Sequence, residues 1–213
     1  MEAILRANYT TILEQRGRKA SSALSLQVNP GESVYMHGTR EQCAAHFNVL
    51  CGLHQPEQGQ VVIQGTDLYT LEVQTAAAFR RDHIGGIPYG GGLIPEVRII
   101  DQIVLPLRLA EMGEREMYEA VQALTSELLP LHSLYNPPRR VTPRKQTHAA
   151  LLRAAITKPD ILILDGVLDG FEETDADILW QALTTLRPGN SALVYFSSEI
   201  EPEWIPWTQK LRI

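Results

Sequence analysis

The chain alternates between short apolar runs and segments of helical period. Ala23–Val28 (ALSLQV) alternates with period two, turns at Asn29-Pro30-Gly31 and resumes at Ser33–Met36 (SVYM). That pattern predicts a strand, a tight turn and a second strand. A helix is expected from about Gln42 to Cys51, with Gly52 as its C-cap, and Val61–Gly65 (VVIQG) follows as a strand after a turn at Gly59. Ile99–Gly113 (IIDQIVLPLRLAEMG) carries apolar residues at helical spacing and stops at a glycine, and Glu114–Leu129 predicts a second helix with a mixed charged face. After Pro130, Pro137 and Pro138, Thr142-Pro143 has the form of an N-cap with proline in the first turn, opening a helix to about Thr157. Ile161–Asp165 (ILILD) and Ala192–Phe196 (ALVYF) are continuous apolar runs, the mark of parallel strands buried on both faces. Asp175–Leu186 predicts a helix between them, and the closing QKLRI an edge strand. Strands alternating with helices make this an α/β chain with a helical insert between about residues 93 and 140. With the Thr142 helix included, the expectation is one domain over residues 1–213 with a helical subdomain at about 93–158.

Composition narrows the function classes. A chain of 213 residues suits one α/β domain, and 44% hydrophobic with 21% charged residues is ordinary for a globular protein. The formal net charge of −6 argues against nucleic acid as a main partner. No apolar run reaches the length of a bilayer-spanning helix, and MEAILRANYT lacks a signal pattern. The two cysteines, Cys43 and Cys51, fall on one predicted helix. Helical rise sets their Cα atoms roughly 12 Å apart, too far for a disulfide, and a reducing cytoplasm is expected.

The strand–loop–helix at Ser33–Cys51 is where a phosphate cradle would lie. A working G-x-x-x-x-G-K-[ST] loop needs glycines that let backbone N–H groups curl around phosphates, a lysine for the β and γ phosphates, and a hydroxyl for Mg²⁺. Here the loop is HGTREQCAA, His37–Ala45, which retains Gly38 and contains no lysine. The four lysines are Lys19, Lys145, Lys158 and Lys210. Arg40 is the loop's one basic side chain apart from His37, and a guanidinium is not the same device as a lysine ammonium.

The flanks carry a resemblance. NPGESVYMHG, NVLCGLHQPEQGQVVIQGTDL, LIPEVRIIDQIVLPLRLAEMG and LLRAAITKPDILILD are similar, in order and spacing over roughly residues 22–200, to the corresponding stretches of ABC ATPases. The nearest subfamily pattern is that of lipoprotein-releasing, macrolide-exporting and FtsE-type ATPases. The resemblance implies a P-loop NTPase-like ABC cassette, with a parallel core sheet, an antiparallel β portion and a helical subdomain. It places the P-loop lysine on Cys43, the Mg²⁺-ligand hydroxyl on Ala44, and the γ-phosphate-sensing glutamine on Tyr89. The LSGGQ signature falls on Val141–Lys145, with Pro143 and Arg144 in its glycine places. The Walker B aspartate is retained as Asp165, while the general-base glutamate falls on Gly166 and the D-loop aspartate near Glu172. The switch histidine falls on Ser197 or Ser198, and Tyr9 is a candidate base-stacking aromatic.

Each position has a plainer alternative. Asp165 could hold a metal or simply end a strand and cap the next helix. Cys43 could be a low-pKa thiol at a helix N-terminus or a small buried filler. Gly90-Gly91-Gly92 could cradle phosphate but is better taken as a hinge. His37, His46, His54 and His83 lack metal-ligand spacing, and no metal site is expected. Arg139, Arg140, Arg144 and Lys145 form a basic cluster best taken as a solvated face.

The apolar stripe over Leu93–Leu109 lies where the family receives a permease's coupling helix. Leu93, Ile94, Ile99, Ile100, Ile103 and Leu105 are the candidate docking residues. The leading expectation is a degenerate ABC-type subunit with no catalytic residues. It would act as scaffold or regulator beside a permease-like membrane protein, on the inner face of the cell membrane. It would pair with itself or with another ABC ATPase subunit. ATP with Mg²⁺ is expected only if the site is rewired around Arg40 and Asp165, which is the enzyme alternative. The third option is a soluble regulatory module independent of a permease.

Overall fold

A computed structural model describes residues 2–15, 18–125, 129–199 and 203–213. Two sheets share the chain. The first has strand order β2-β1-β4-β5, built from β1 (Leu5–Gln15), β2 (Arg18–Val28), β4 (Gln58–Ile63) and β5 (Thr66–Asp67), all antiparallel. The second is parallel throughout, with order β6-β7-β8-β3-β9. Its strands are β3 (Ser33–His37), β6 (Ile84–Ile87), β7 (Ile161–Asp165), β8 (Ala192–Ser197) and β9 (Gln209–Arg212). The strands flanking Asn29–Gly31 therefore do not pair with each other; the turn passes the chain from one sheet to the other. Gly31 takes a left-handed φ of 78° there, and the Glu32 carboxylate accepts the Asn29 backbone N–H at 2.8 Å.

Period-two geometry explains why the parallel strands are apolar without a break. Leu162 and Leu164 of β7, Leu193 and Tyr195 of β8, and Tyr35 of β3 point into one core. Ile161, Ile163, Ala192, Val194, Phe196, Val34 and Met36 point into the other. The first core is closed by α3 (Ile99–Ile103), α4 (Leu105–Leu109), α5 (Glu114–Thr125), α6 (Leu131–Leu134), α7 (Pro143–Ala155) and α8 (Glu173–Leu186). The second is closed by α1 (Arg40–Leu50) and the antiparallel sheet, while α2 (Val73–His83) adds Phe79 at its edge.

The predicted helix over Ile99–Gly113 is two short helices. Pro106 has no N–H to donate and its ring would clash with the carbonyl four residues back, so the chain resets at Val104 and restarts with proline at the first turn of α4. The predicted helix to Leu129 is described as far as Thr125, and its positions 126–128 lie outside the described residues. Thr142 caps α7, its side chain accepting from the Lys145 N–H, with Pro143 in the first turn.

Candidate functional site

The C-terminal ends of β3, β7 and β8 lie side by side, so the segments that leave them converge: His37–Arg40, Asp165–Asp169 and Ser197–Glu199. Parallel sheets place ligand sites at this edge. Helix α1 begins two residues earlier than its apolar pattern suggests. Thr39 and Gln42 form a capping box: the Thr39 hydroxyl accepts the Gln42 N–H at 3.3 Å, and the Gln42 amide oxygen accepts the Thr39 N–H at 2.9 Å. The Cys43 N–H donates to the Thr39 carbonyl at 2.9 Å.

Arg40, the first residue of α1, turns inward. Its Nη1 donates to Asp165 Oδ1 at 2.9 Å, and its Nη2 donates to Asp169 Oδ2 at 2.8 Å and to Ser198 Oγ at 2.7 Å. The guanidinium carbon sits 3.7 Å from the centroid of the Tyr89 ring. Asp169 is held from its other side, since Oδ1 accepts from the Ser197 hydroxyl at 2.7 Å and the Tyr195 hydroxyl at 3.3 Å. The Arg40 side chain is 30% exposed, against 2% for Asp165 and 6% for Asp169. Burial pulls the Arg40 pKa down, but the Asp169 hydrogen bond and the two carboxylate charges outweigh it, so the net shift is upward. Burial pushes Asp165 up to about 6, against the pull of Arg40 and with the push of Asp169.

Gly166 makes this arrangement sterically possible. A Cβ there would lie 2.8 Å from Tyr89 Cδ2, 2.9 Å from Arg40 Nη1 and 3.0 Å from Asp169 Oδ2, and φ is +60°. Gly38 is crowded differently. A Cβ on it would lie 2.6 Å from Ile213 Cγ1, so Ile213 covers the open face of the loop's glycine.

The site positions expected from sequence thus divide. Arg40, Tyr89, Asp165, Gly166 and both serines, Ser197 and Ser198, come together. Cys43 is fully buried in the core that α1 closes; burial raises its thiol pKa to about 12, which removes the reactive-thiol alternative. Ala44 is half-buried on the same helix. Asp165 caps no helix; it is one wall of the Arg40 network. Tyr9 is not available for base stacking. It is buried, and its hydroxyl shares a 2.9 Å hydrogen bond with His46 Nδ1, whose Nε2 pairs with Ser22 Oγ at 2.9 Å. Burial lowers the His46 pKa to about 4, so the ring is neutral at pH 7. Glu172 precedes α8 without a side-chain cap bond. The acid that enters the site is Asp169, which sequence reasoning missed; its signal is a second aspartate four residues after Asp165 in DGVLD.

Gly90, Gly91 and Gly92 all adopt left-handed φ, and Arg153 donates to the carbonyls of Gly92 at 2.7 Å and Gly91 at 3.0 Å. Those contacts suit a pinned hinge better than an anion cradle. In the basic cluster, Arg144 donates to Asp175 at 2.6 Å. Of the docking residues, Ile94 and Leu105 are exposed at 55% and 48%, and Leu93 and Ile100 are half-buried. Ile99 and Ile103 are not a surface at all. They are fully buried because α3 turns this face of its short stripe onto the core.

The sequence profile of the ABC transporter family matches residues 22–168. The lipoprotein-releasing system ATP-binding protein LolD 1 of Rhodospirillum rubrum is 27% identical over 192 residues, covering 88% of this chain and 85% of that protein. YvcR, an uncharacterized ABC transporter ATP-binding protein of Bacillus subtilis, is 29% identical over 177 residues, covering 83% and 68%. The fold is shared with the dimeric structure of a bacterial ABC transporter cassette, at a TM-score of 0.78 and 21% identity, over 92% of this chain and 88% of that one. A second cassette structure, dimeric and bound to ADP and Pi in a post-hydrolysis state, matches with a TM-score of 0.77 and 20% identity over the same shares. The profile spans more than half of the chain, its antiparallel and parallel sheets have the cassette fold, and it belongs to the ABC transporter family.

Proposed function

We propose that this chain is a non-catalytic ABC cassette, a scaffold or regulatory subunit of a membrane transporter-like complex. The carrying observation is the placement of Arg40, which we read as occupying the space a nucleotide's phosphates and metal would need. It lies between Asp165 and Asp169, under Ser198 and on Tyr89. The residues present do not fit Mg·ATP. The N–H groups of Thr39 and Gln42, which open α1, are engaged by its own capping box. Ile213 covers Gly38, and the lysine place is a buried cysteine. A glutamate at position 166 would collide with Arg40, so the general base is lacking and its space is also taken. Phosphoryl transfer depends on positioning and charge stabilisation, and this site supplies neither. Gly38, Arg40, Cys43, Ala44, Tyr89, Asp165, Gly166 and Ser197 are accordingly read as vestigial nucleotide-site positions, and residues 93–158 as the helical subdomain of one cassette.

The same reading assigns a permease-like membrane protein as partner, on the cytoplasmic side. The exposed Ile94 and Leu105, with half-buried Leu93 and Ile100 beside them, form the docking surface. Pairing with a second cassette, identical or not, is held by that partner, because no shared nucleotide joins the two. No helix among the described residues is long and apolar enough to cross a membrane. The test is co-purification from detergent-solubilised membranes, followed by an ATPase assay of the complex. Capture of a multi-span protein, with any turnover unchanged by Arg40→Ala or Asp165→Asn, supports the reading. Turnover that Asp165→Asn abolishes contradicts it.

A further inference from the structure

Adjoining the Arg40 network, and sharing Tyr89, Gly166 and Asp169 with it, lies a cavity of about 550 Å³ whose other walls lie outside that site. It opens between the Tyr89–Gly91 loop after β6, the Pro138–Arg139 turn and the first turns of α7. Its volume is within the range of small-molecule sites, roughly 300–1,000 Å³. Most of its wall is apolar. Pro95, Pro138 and Pro143 contribute rings without rotamer freedom, and Tyr89 and Phe171 contribute aromatic surface. Such walls favour a flat apolar body, because little side-chain entropy is lost on binding.

The charges on the wall set the sign of the ligand. Only two lining residues have an acidic or basic side chain, Asp169 and Arg139. Asp169 is already matched by Arg40, Ser197 and Tyr195. Arg139 has neither an ion pair nor a hydrogen bond from its side chain among the described residues, whereas nearby Arg144 is paired with Asp175. The cavity wall therefore carries one exposed basic side chain without an ion pair, Arg139, beside its apolar residues. The geometry points to a binding site for a small amphipathic anion: a flat apolar body against Tyr89, Phe171 and the prolines, with one acidic group on Arg139. Gln146 and Thr147 are also on the wall, but their donors are spent on the carbonyls of Pro138, Val141 and Pro143, which leaves Arg139 as the donor for the acidic group. This inference stands on the cavity and does not depend on whether the chain binds nucleotide.

The test uses the folded full chain and two dyes that share a ring system. 8-Anilinonaphthalene-1-sulfonate carries one anionic group, and N-phenyl-1-naphthylamine carries none. The expected result is saturable one-to-one binding of the sulfonate. Arg139→Gln weakens it at least tenfold and leaves the neutral dye within twofold of wild type. Thr147→Trp, which fills the trough, abolishes both. Lys145→Gln, a neighbouring charge off the cavity wall, changes neither. Circular dichroism checks each variant's fold, and Arg139→Gln, a surface change, suffices if Thr147→Trp does not fold. Sulfonate binding within twofold of wild type in Arg139→Gln overturns the proposal. So does equal weakening of both dyes, or an equal loss in Lys145→Gln; the cleft is then a packing surface or a seat for a partner.

Discussion

Replacing Arg40 with alanine is the most informative perturbation of the site. Among the described residues Arg40 is the only cation bonded to Asp165 and Asp169, whose side chains are 2% and 6% exposed. Removing one partner of a fully buried ion pair costs about 3–5 kcal/mol. Two features reduce that here. Arg40 is itself 30% exposed, so water can enter the gap, and Asp165 can escape by taking a proton. Its folded-state pKa, about 6, already lies above the ordinary 3.8. A raised carboxyl pKa means that the folded state holds the proton more tightly than the unfolded one. The stability from that proton is full below 3.8 and is lost as pH rises through about 6. Without Arg40 the folded pKa moves higher still, so the loss continues into the neutral range. The expected cost of Arg40→Ala is about 1–2 kcal/mol at pH 5. It grows by up to about 1.4 kcal/mol per pH unit to roughly 3–4 kcal/mol at pH 8. In an Asp165→Asn background most of that growth disappears. Urea unfolding followed by tryptophan fluorescence, at pH 5 and pH 8, measures all four corners of the cycle. A cost below about 1 kcal/mol at pH 8, or the same cost at both pH values, refutes the reasoning.

Restoring family chemistry piecemeal is expected to fail for structural reasons. Gly166→Glu puts a Cβ within 3.0 Å of Arg40, Tyr89 and Asp169 at a left-handed φ. It should cost at least about 2 kcal/mol and yield no ATPase activity, and a stable, active variant would count against a filled site. Cys43→Lys forces an ammonium into a fully buried core position; a drop of several kcal/mol by urea unfolding, without gain of ATP binding, is the expected outcome. Tyr9→Phe leaves His46 Nδ1 without its buried partner and should cost about 1–3 kcal/mol by the same measurement. Ile94→Asp with Leu105→Glu should leave thermal stability within about 0.5 kcal/mol, since both are exposed, and should abolish co-purification with the membrane partner; retained capture would move the docking surface elsewhere.

How much of this the sequence disclosed depended on burial contrast. ILILD and ALVYF were legible because both faces of those strands are buried, so every position is apolar. β1 was not. Its inward positions alternate as Leu5, Ala7, Tyr9, Thr11 and Leu13, but Ala7 is small and Tyr9 and Thr11 are polar, which flattens the hydropathy pattern. α2 was invisible for a similar reason, since none of its residues is buried and it presents no apolar stripe. Pro106 was present in the sequence, yet the apolar spacing on either side of it concealed the break between α3 and α4.

At the site, a His37–Ala45 loop without lysine and a glycine directly after Asp165 were plain from the sequence. What surrounds them was not. The partnership of Arg40 with Asp169 spans 129 positions, and Asp169 stands outside every motif used to locate the site. The significance of Gly166 emerges only from the distances around it, which turn an absent glutamate into a space already filled.

The central claim is that Arg40 and its partners leave no room for a triphosphate. Isothermal titration of the purified full chain with Mg·ATP tests it most directly, with Arg40→Ala and Asp165→Ala beside wild type. The account predicts no saturable heat for wild type up to millimolar ATP. A one-to-one isotherm in the low-micromolar range that disappears in Asp165→Ala would contradict it.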